Sequence, residues 1–108
     1  MKKGIALLSV SLLLVLCAAD LRAEGSKKIS GEAKFKEHCA VCHPDGGNIV
    51  NTQKTLHKKD LEANNVKAAA DIVGKMRNPG PGMTKFDKDA VSDEEAKAIA
   101  KYILKTFN

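Results

Sequence analysis

The chain has 108 residues and a formal charge of +5, with 18 Lys and Arg against 13 Asp and Glu, one Tyr, three Phe and no Trp. That length allows one small domain once any targeting segment is removed, and so few large side chains leave a marginal core unless a bound group adds apolar bulk. Residues 1–23 carry Lys2, Lys3, Arg22 and Asp20; without them 15 basic and 12 acidic residues remain, a balance of +3 that gives no case for nucleic acid and only a bias toward mildly acidic partners.

Residues 1–23 read as a secretory signal peptide: Lys2 and Lys3 form a basic tip, an apolar stretch of about 15 residues starts at Ile5, and small residues close it ahead of Asp20. The stretch is short for a membrane span. Cleavage after Ala23 releases a soluble periplasmic domain over residues 24–108. The rival is a lipoprotein signal ending before Cys17, with a lipid on Cys17 as membrane tether. Leu16 stands where a small residue normally precedes such a cysteine.

Ser30 is placed to cap a helix over residues 31–38, in which Phe35 is the one large apolar residue and so marks the buried face. That helix runs into Cys39-Ala40-Val41-Cys42-His43. The C-x-x-C-H spacing is that of covalent c-type haem attachment: two thiols add to the vinyl groups of the porphyrin and the adjoining imidazole reaches the iron. A disulfide between Cys39 and Cys42 would close a very short loop and stabilise little. Structural zinc needs four ligands, and there is no second C-x-x-C; a thioredoxin-type dithiol needs strand-helix alternation, which is missing.

After His43, the run Pro44-Asp45-Gly46-Gly47-Asn48 is dense in turn formers, so the chain folds back under the haem and brings Ile49 and Val50 toward the porphyrin. Residues 57–63 read as a short helix stopped at Asn64 and Asn65. From there Val66, Ala69, Ala70, Val73 and Met76 step by three and four, the face of a helix that Pro79 ends near Arg77. A stiff proline-glycine loop follows, with Met83 at its centre and Phe86 at its end. The last helix opens on a capping box, Ser92 with Glu95, and carries the stripe Ala96, Ile99, Ala100, Ile103 and Phe107. No run alternates with period two for long enough to make a strand, so the fold is all-α.

If His43 takes one axial position on the iron, four side chains compete for the other: His38, His57, Met76 and Met83. His38 precedes Cys39 on the attached side and is expected at the surface. His57 lies in a charged run beside Lys58 and Lys59, and Met76 falls on the apolar stripe of its helix, where core packing accounts for it. Met83 lies on no stripe. The pairs Pro79-Gly80 and Pro81-Gly82 restrict the loop that delivers its sulfur, so Met83 is assigned as the distal ligand, against the alternative of an exposed or packed loop methionine. Ile49, Val50, Leu56, Leu61, Val73 and Phe86 are expected as the apolar shell, with Lys54, Lys58, Lys59, Lys75 and Lys85 near an exposed haem edge.

With these residues in hand, the chain resembles a class I cytochrome c, most specifically of the cytochrome c6 type. Gly31, Phe35 and residues 39–43 fit that family's opening helix and haem site; Gly46 and Asn48 fit the next loop, and Lys54-Thr55-Leu56 and Leu61-Glu62-Ala63-Asn64 the segment after it. Met83 with Phe86 fits the ligand loop and Tyr102-Ile103-Leu104 the terminal helix. Three positions depart from the pattern: Thr84 where the family usually has proline, Thr52 in place of a loop proline, and Lys75 where photosynthetic members commonly carry glutamine. The resemblance implies about four short helices wrapped around one covalent haem c, bound by Cys39, Cys42, His43, Met83, Asn48 and Phe86, with His43 and Met83 on the iron. It also implies that Gly31 and Phe35 meet the region of Ile99 to Ile103. The function it implies is that of a monomeric one-electron carrier, not an enzyme, docking transiently with redox protein donors and acceptors. Its expected place is the periplasm, or the thylakoid lumen in a photosynthetic host. A haem-based ligand sensor or peroxidase-like protein with a labile Met83 is the alternative.

Overall fold

The computed structural model describes residues 28–108, so the expected signal peptide and Cys17 lie outside the described residues. Four α-helices follow in order, α1 (Gly31–His38), α2 (Lys58–Ala63), α3 (Ala69–Arg77) and α4 (Asp93–Thr106), with one 3-10 turn at Pro44–Gly46. No strand occurs among the described residues, which agrees with the all-α expectation.

Helix α1 starts as its cap requires: the Ser30 hydroxyl accepts the Ala33 N–H at 3.1 Å, taking up one of the unpaired donors of the first turn. Helix α4 starts the same way, with the Ser92 hydroxyl accepting the Glu95 N–H at 3.2 Å. The reciprocal half of the expected capping box is not made. The Glu95 carboxylate lies instead 3.5 Å from the Lys34 ammonium on α1, so the side chain serves the contact between helices.

That contact organises the domain. A Cβ on Gly31 would lie 2.2 Å from the Ala98 carbonyl oxygen and 3.0 Å from Tyr102 Cβ, so only glycine lets α1 approach α4 this closely. The approach brings three of the four aromatic rings together in tilted and edge-on contact: Phe35 is 5.3 Å from Tyr102 and 5.4 Å from Phe107, and those two rings are 5.8 Å apart. Ala96, Ile99, Ala100 and Ile103 of α4 are buried as the stripe predicts, while Phe107 is half-buried at the helix C-cap. Each large side chain so removed from water contributes about 1.5–3 kcal/mol.

Helix α3 departs from the sequence reading. It begins at Ala69, not Val66, because the Asp71 carboxylate accepts the N–H groups of Lys67 at 3.0 Å and Ala68 at 2.9 Å and leaves Ala68 in extended backbone. Those donors also hold the Asp71 carboxyl below the usual carboxylate range. With Val66 ahead of the helix, the buried face centres on Ile72 and Met76; Ala69 and Val73 are half-buried and Ala70 is exposed. The helix ends as expected at Asn78, whose φ of −142° and ψ of 70° turn the chain ahead of Pro79.

Replacing Gly31 by alanine is expected to force α1 off α4 and cost about 1–3 kcal/mol, read as a lower denaturant midpoint with an unchanged slope. An unaltered midpoint would show that the helix crossing has more slack than the geometry allows.

Candidate functional site

A cavity of about 490 Å³ opens between the end of α1, the loop before α2 and the loop after α3. Its size falls in the range of roughly 300–1,000 Å³ typical of ligand pockets. Cys39, Cys42, His43, Asn48, Met83 and Phe86, the six residues singled out in the sequence, all line it. Apolar side chains from every helix but α1 complete the wall, among them Leu61, Ile72, Met76 and Ile103.

The expected apolar shell is partly wrong. Val50, Leu56, Leu61 and Phe86 line the cavity, whereas Ile49 is 63% exposed and Val73 lies off the wall. The Ile49 N–H is tied to the Cys42 carbonyl at 3.0 Å, and the turn made by Asn48 brings Val50 to the rim instead. On α3 the shift of the buried face substitutes Ile72 for Val73. His38 also departs from expectation. It lines the cavity, with its ring 6.1 Å from Phe86 and its side chain only 21% exposed, because α1 ends at the wall and carries both His38 and Cys39 there. Lys54 and Lys75 border the mouth; Lys58, Lys59 and Lys85 are exposed away from it.

The C-x-x-C-H segment is a closed turn. The N–H groups of Cys42 and His43 both donate to the Cys39 carbonyl, at 3.1 and 2.9 Å, which turns both sulfur-bearing side chains and the imidazole toward one wall. His43 Nδ1 lies 2.7 Å from the Gly47 carbonyl oxygen. A carbonyl only accepts, so Nδ1 carries the proton; in the neutral ring this leaves the lone pair on Nε2, the tautomer a metal requires. Gly46 supports this turn with a φ of +77°, and a Cβ there would lie 2.5 Å from the Phe107 ring. Burial pushes the Cys39 thiol up to about 11, the opposite direction from the lowered thiol of a reactive redox dithiol.

Met83 stands on the loop that closes the rim, 36% exposed, with its N–H 3.4 Å from the Gly80 carbonyl. Gly82 beside it has a φ of +89°, and a Cβ there would come within 2.9 Å of Val50 Cγ1, so the two loops touch at this point. Met76 is buried in the core as expected, although it also reaches the cavity wall; His57 is exposed and away from it. Asn48 spends its polar atoms on the chain itself: Oδ1 accepts the N–H groups of Val50 and Asn51, both at 2.9 Å, and Nδ2 donates to the Lys54 carbonyl at 2.8 Å. Arg77, which no sequence signal singles out, donates to the Phe86 and Val91 carbonyls and to the Asp93 carboxylate.

Paired thiols, an imidazole with a free Nε2, a thioether on the rim and an apolar wall are the donor set and surroundings that a covalently attached haem requires. Asn48→Ala is expected to release its loop, accelerating hydrogen exchange at the Val50 and Asn51 amides by about tenfold while the α4 amides keep their protection. Equal acceleration in both places would mean global destabilisation instead.

Residues 27–103 match the family model for cytochrome c oxidase, cbb3-type, subunit III. The chain is 40% identical over 74 residues to a cytochrome c6 of Synechocystis, covering 68% of this chain and 61% of that protein. With a cytochrome c6 of Nostoc the identity is 33% over 104 residues, covering 96% of this chain and 93% of the relative. Among solved structures, the outer-membrane cytochrome OmcF of Geobacter sulfurreducens superposes with a TM-score of 0.71 at 39% identity, over 73% of this chain and 100% of that one. The chain therefore belongs to the cytochrome c6 family of class I monohaem cytochromes, with one covalently bound haem c as its cofactor.

Proposed function

We propose that the protein is an exported one-electron carrier in which Cys39 and Cys42 hold the haem by thioether bonds and His43 and Met83 are its axial ligands. The observation that carries this reading is the His43 Nδ1 to Gly47 bond within a cavity that Cys39, Cys42 and Met83 share. The bound haem supplies a one-electron iron couple. The chain's own residues supply the rest. Gly47 fixes the imidazole tautomer and orientation, the Pro79 to Gly82 loop carries the sulfur, and the wall of Leu61, Ile72, Met76 and Ile103 excludes water. His and Met together leave no coordination position to be filled or vacated on oxidation, so little rearrangement opposes electron transfer, and the soft sulfur favours the reduced state. No enzymatic step is needed for such a carrier.

The partners are redox proteins met in weak, transient encounters, with Lys54 and Lys75 at the cavity mouth biasing docking toward acidic surfaces. The apolar segment at residues 5–19 supports export, with the periplasm as the working compartment. Among the described residues no helix is long and apolar enough to cross a membrane. The exposure of Met83 favours a second reading, a ligand sensor or peroxidase-like protein in which that sulfur is readily displaced.

The oxidised protein is expected to show a sulfur-to-iron charge-transfer band that Met83→Ala abolishes, with a lowered reduction potential. A high-spin spectrum that responds at once to carbon monoxide or cyanide would instead establish the second reading. Intact mass of protein from its own host is expected to equal residues 24–108 plus one haem, while a lipid-modified mass beginning at Cys17 would show a tethered form.

A further inference from the structure

The loop that bears Met83 is fastened at both ends to one turn of one helix. At its start, the Asn78 N–H donates to the Gly74 carbonyl at 2.9 Å; at its end, the Phe86 N–H donates to the Met76 carbonyl at 2.9 Å. The Phe86 carbonyl is held from the same helix turn, by Arg77 Nη1 at 3.0 Å. Both polar groups of Phe86 are thus tied to the last two residues of α3. Between these anchors the only backbone bond within the loop is the long one from Met83 to Gly80, so the position of the sulfur depends on the anchors and on the two prolines.

Arg77 does more than close the loop. The same Nη1 donates to the Val91 carbonyl at 2.7 Å, and Nη2 lies 2.9 Å from Asp93 Oδ1, whose second oxygen is 3.2 Å from Lys88. A single planar group therefore joins α3, the chain after Met83 and the first residue of α4. Lysine, with a compact ammonium in place of a fork, cannot meet three acceptors in that arrangement. The Nε–H is buried without a hydrogen-bond partner among the described residues. Leaving a buried donor unpaired is unfavourable, so this pose is kept by what the two terminal nitrogens hold.

We propose that Arg77 is the positioning residue for Met83: by clamping the Phe86 peptide it holds the loop closed and sets how readily the sulfur yields its place to another ligand. The inference rests on Met83 as the distal ligand. Its effect is selective. Removing Arg77 leaves the end of the loop next to the ligand on the single Phe86 to Met76 backbone bond, whereas removing Asp93 loosens only the tie to α4 and leaves both carbonyl bonds to Arg77 in place.

The test is the rate at which imidazole enters the oxidised holoprotein, followed by loss of the sulfur-to-iron band, in wild type, Arg77→Ala, Arg77→Lys and Asp93→Ala, each with its denaturant midpoint. Arg77→Ala is expected to accelerate entry by about tenfold, as the loss of charge-assisted bonds at a loop anchor implies. Arg77→Lys should fall between it and wild type, and Asp93→Ala should stay within about twofold of wild type although its midpoint drops. Imidazole entry that tracks the denaturant midpoint across all three variants, or entry unchanged in Arg77→Ala, would overturn the assignment and leave Arg77 a structural residue. If Arg77→Ala does not retain a folded holoprotein, Arg77→Lys decides, because unchanged entry there overturns the assignment equally. A wild-type protein that lacks the sulfur band from the outset would instead refute Met83 ligation itself.

Discussion

Everything in this domain hangs on how closely α1 and α4 cross. The crossing is set at Gly31, where the absence of a side chain lets the Ala98 carbonyl come within a distance that no Cβ would tolerate. From there the consequences are geometric. Phe35 reaches the Tyr102 and Phe107 rings, Lys34 reaches Glu95, and the C-terminal end of α1 is aimed so that Cys39 and His38 arrive at the cavity wall. The C-x-x-C-H turn is therefore positioned by a helix contact made two turns upstream of it.

The cavity explains how a chain with so little aromatic bulk holds together. Three of the four aromatic side chains gather at the α1–α4 contact, and the buried apolar residues Leu61, Ile72 and Met76 of α2 and α3 are shared between the core and the cavity wall. Leu61, Ile72, Met76 and Ile103 belong to both. Burial of the cofactor's apolar surface against them completes the interior, so folding and cofactor retention draw on the same side chains. The loop around Asn48 works differently, since its order comes from polar atoms satisfied within the loop.

Much of this was legible in the sequence because it depends on local chemistry. The C-x-x-C-H motif, the serine caps, the stop at Asn78 and the α4 stripe each follow from residues a few positions apart, and the proline-glycine loop singles out Met83, which lies at the cavity rim. What was not legible depends on distant partners or on side-chain competition. Glu95 has the spacing of a capping box, yet Lys34 on another helix claims it. Asp71 re-phases α3 by taking two backbone donors that the periodicity assigns to the helix. His38 reads as a surface residue because it directly precedes Cys39 on the attached side, and only the direction of α1 turns it inward. Arg77 is the clearest case: its three acceptors lie 9, 14 and 16 residues ahead, and no short pattern links them.

The close packing of Gly46 against Phe107 carries a consequence for biosynthesis. The turn that supports His43 is made early in the chain, but the ring that backs it belongs to the cap of α4, and the Lys58 N–H also donates to the Phe107 carbonyl at 2.9 Å. A nascent chain that has emerged only as far as α3 holds both cysteines and the histidine without the floor on which they rest. Contacts of such long sequence separation form late, after the entropy of closing the intervening chain has been overcome. Until that contact forms the C-x-x-C-H segment is exposed and unbacked, and the arrival of the last helix converts it into one wall of a closed site.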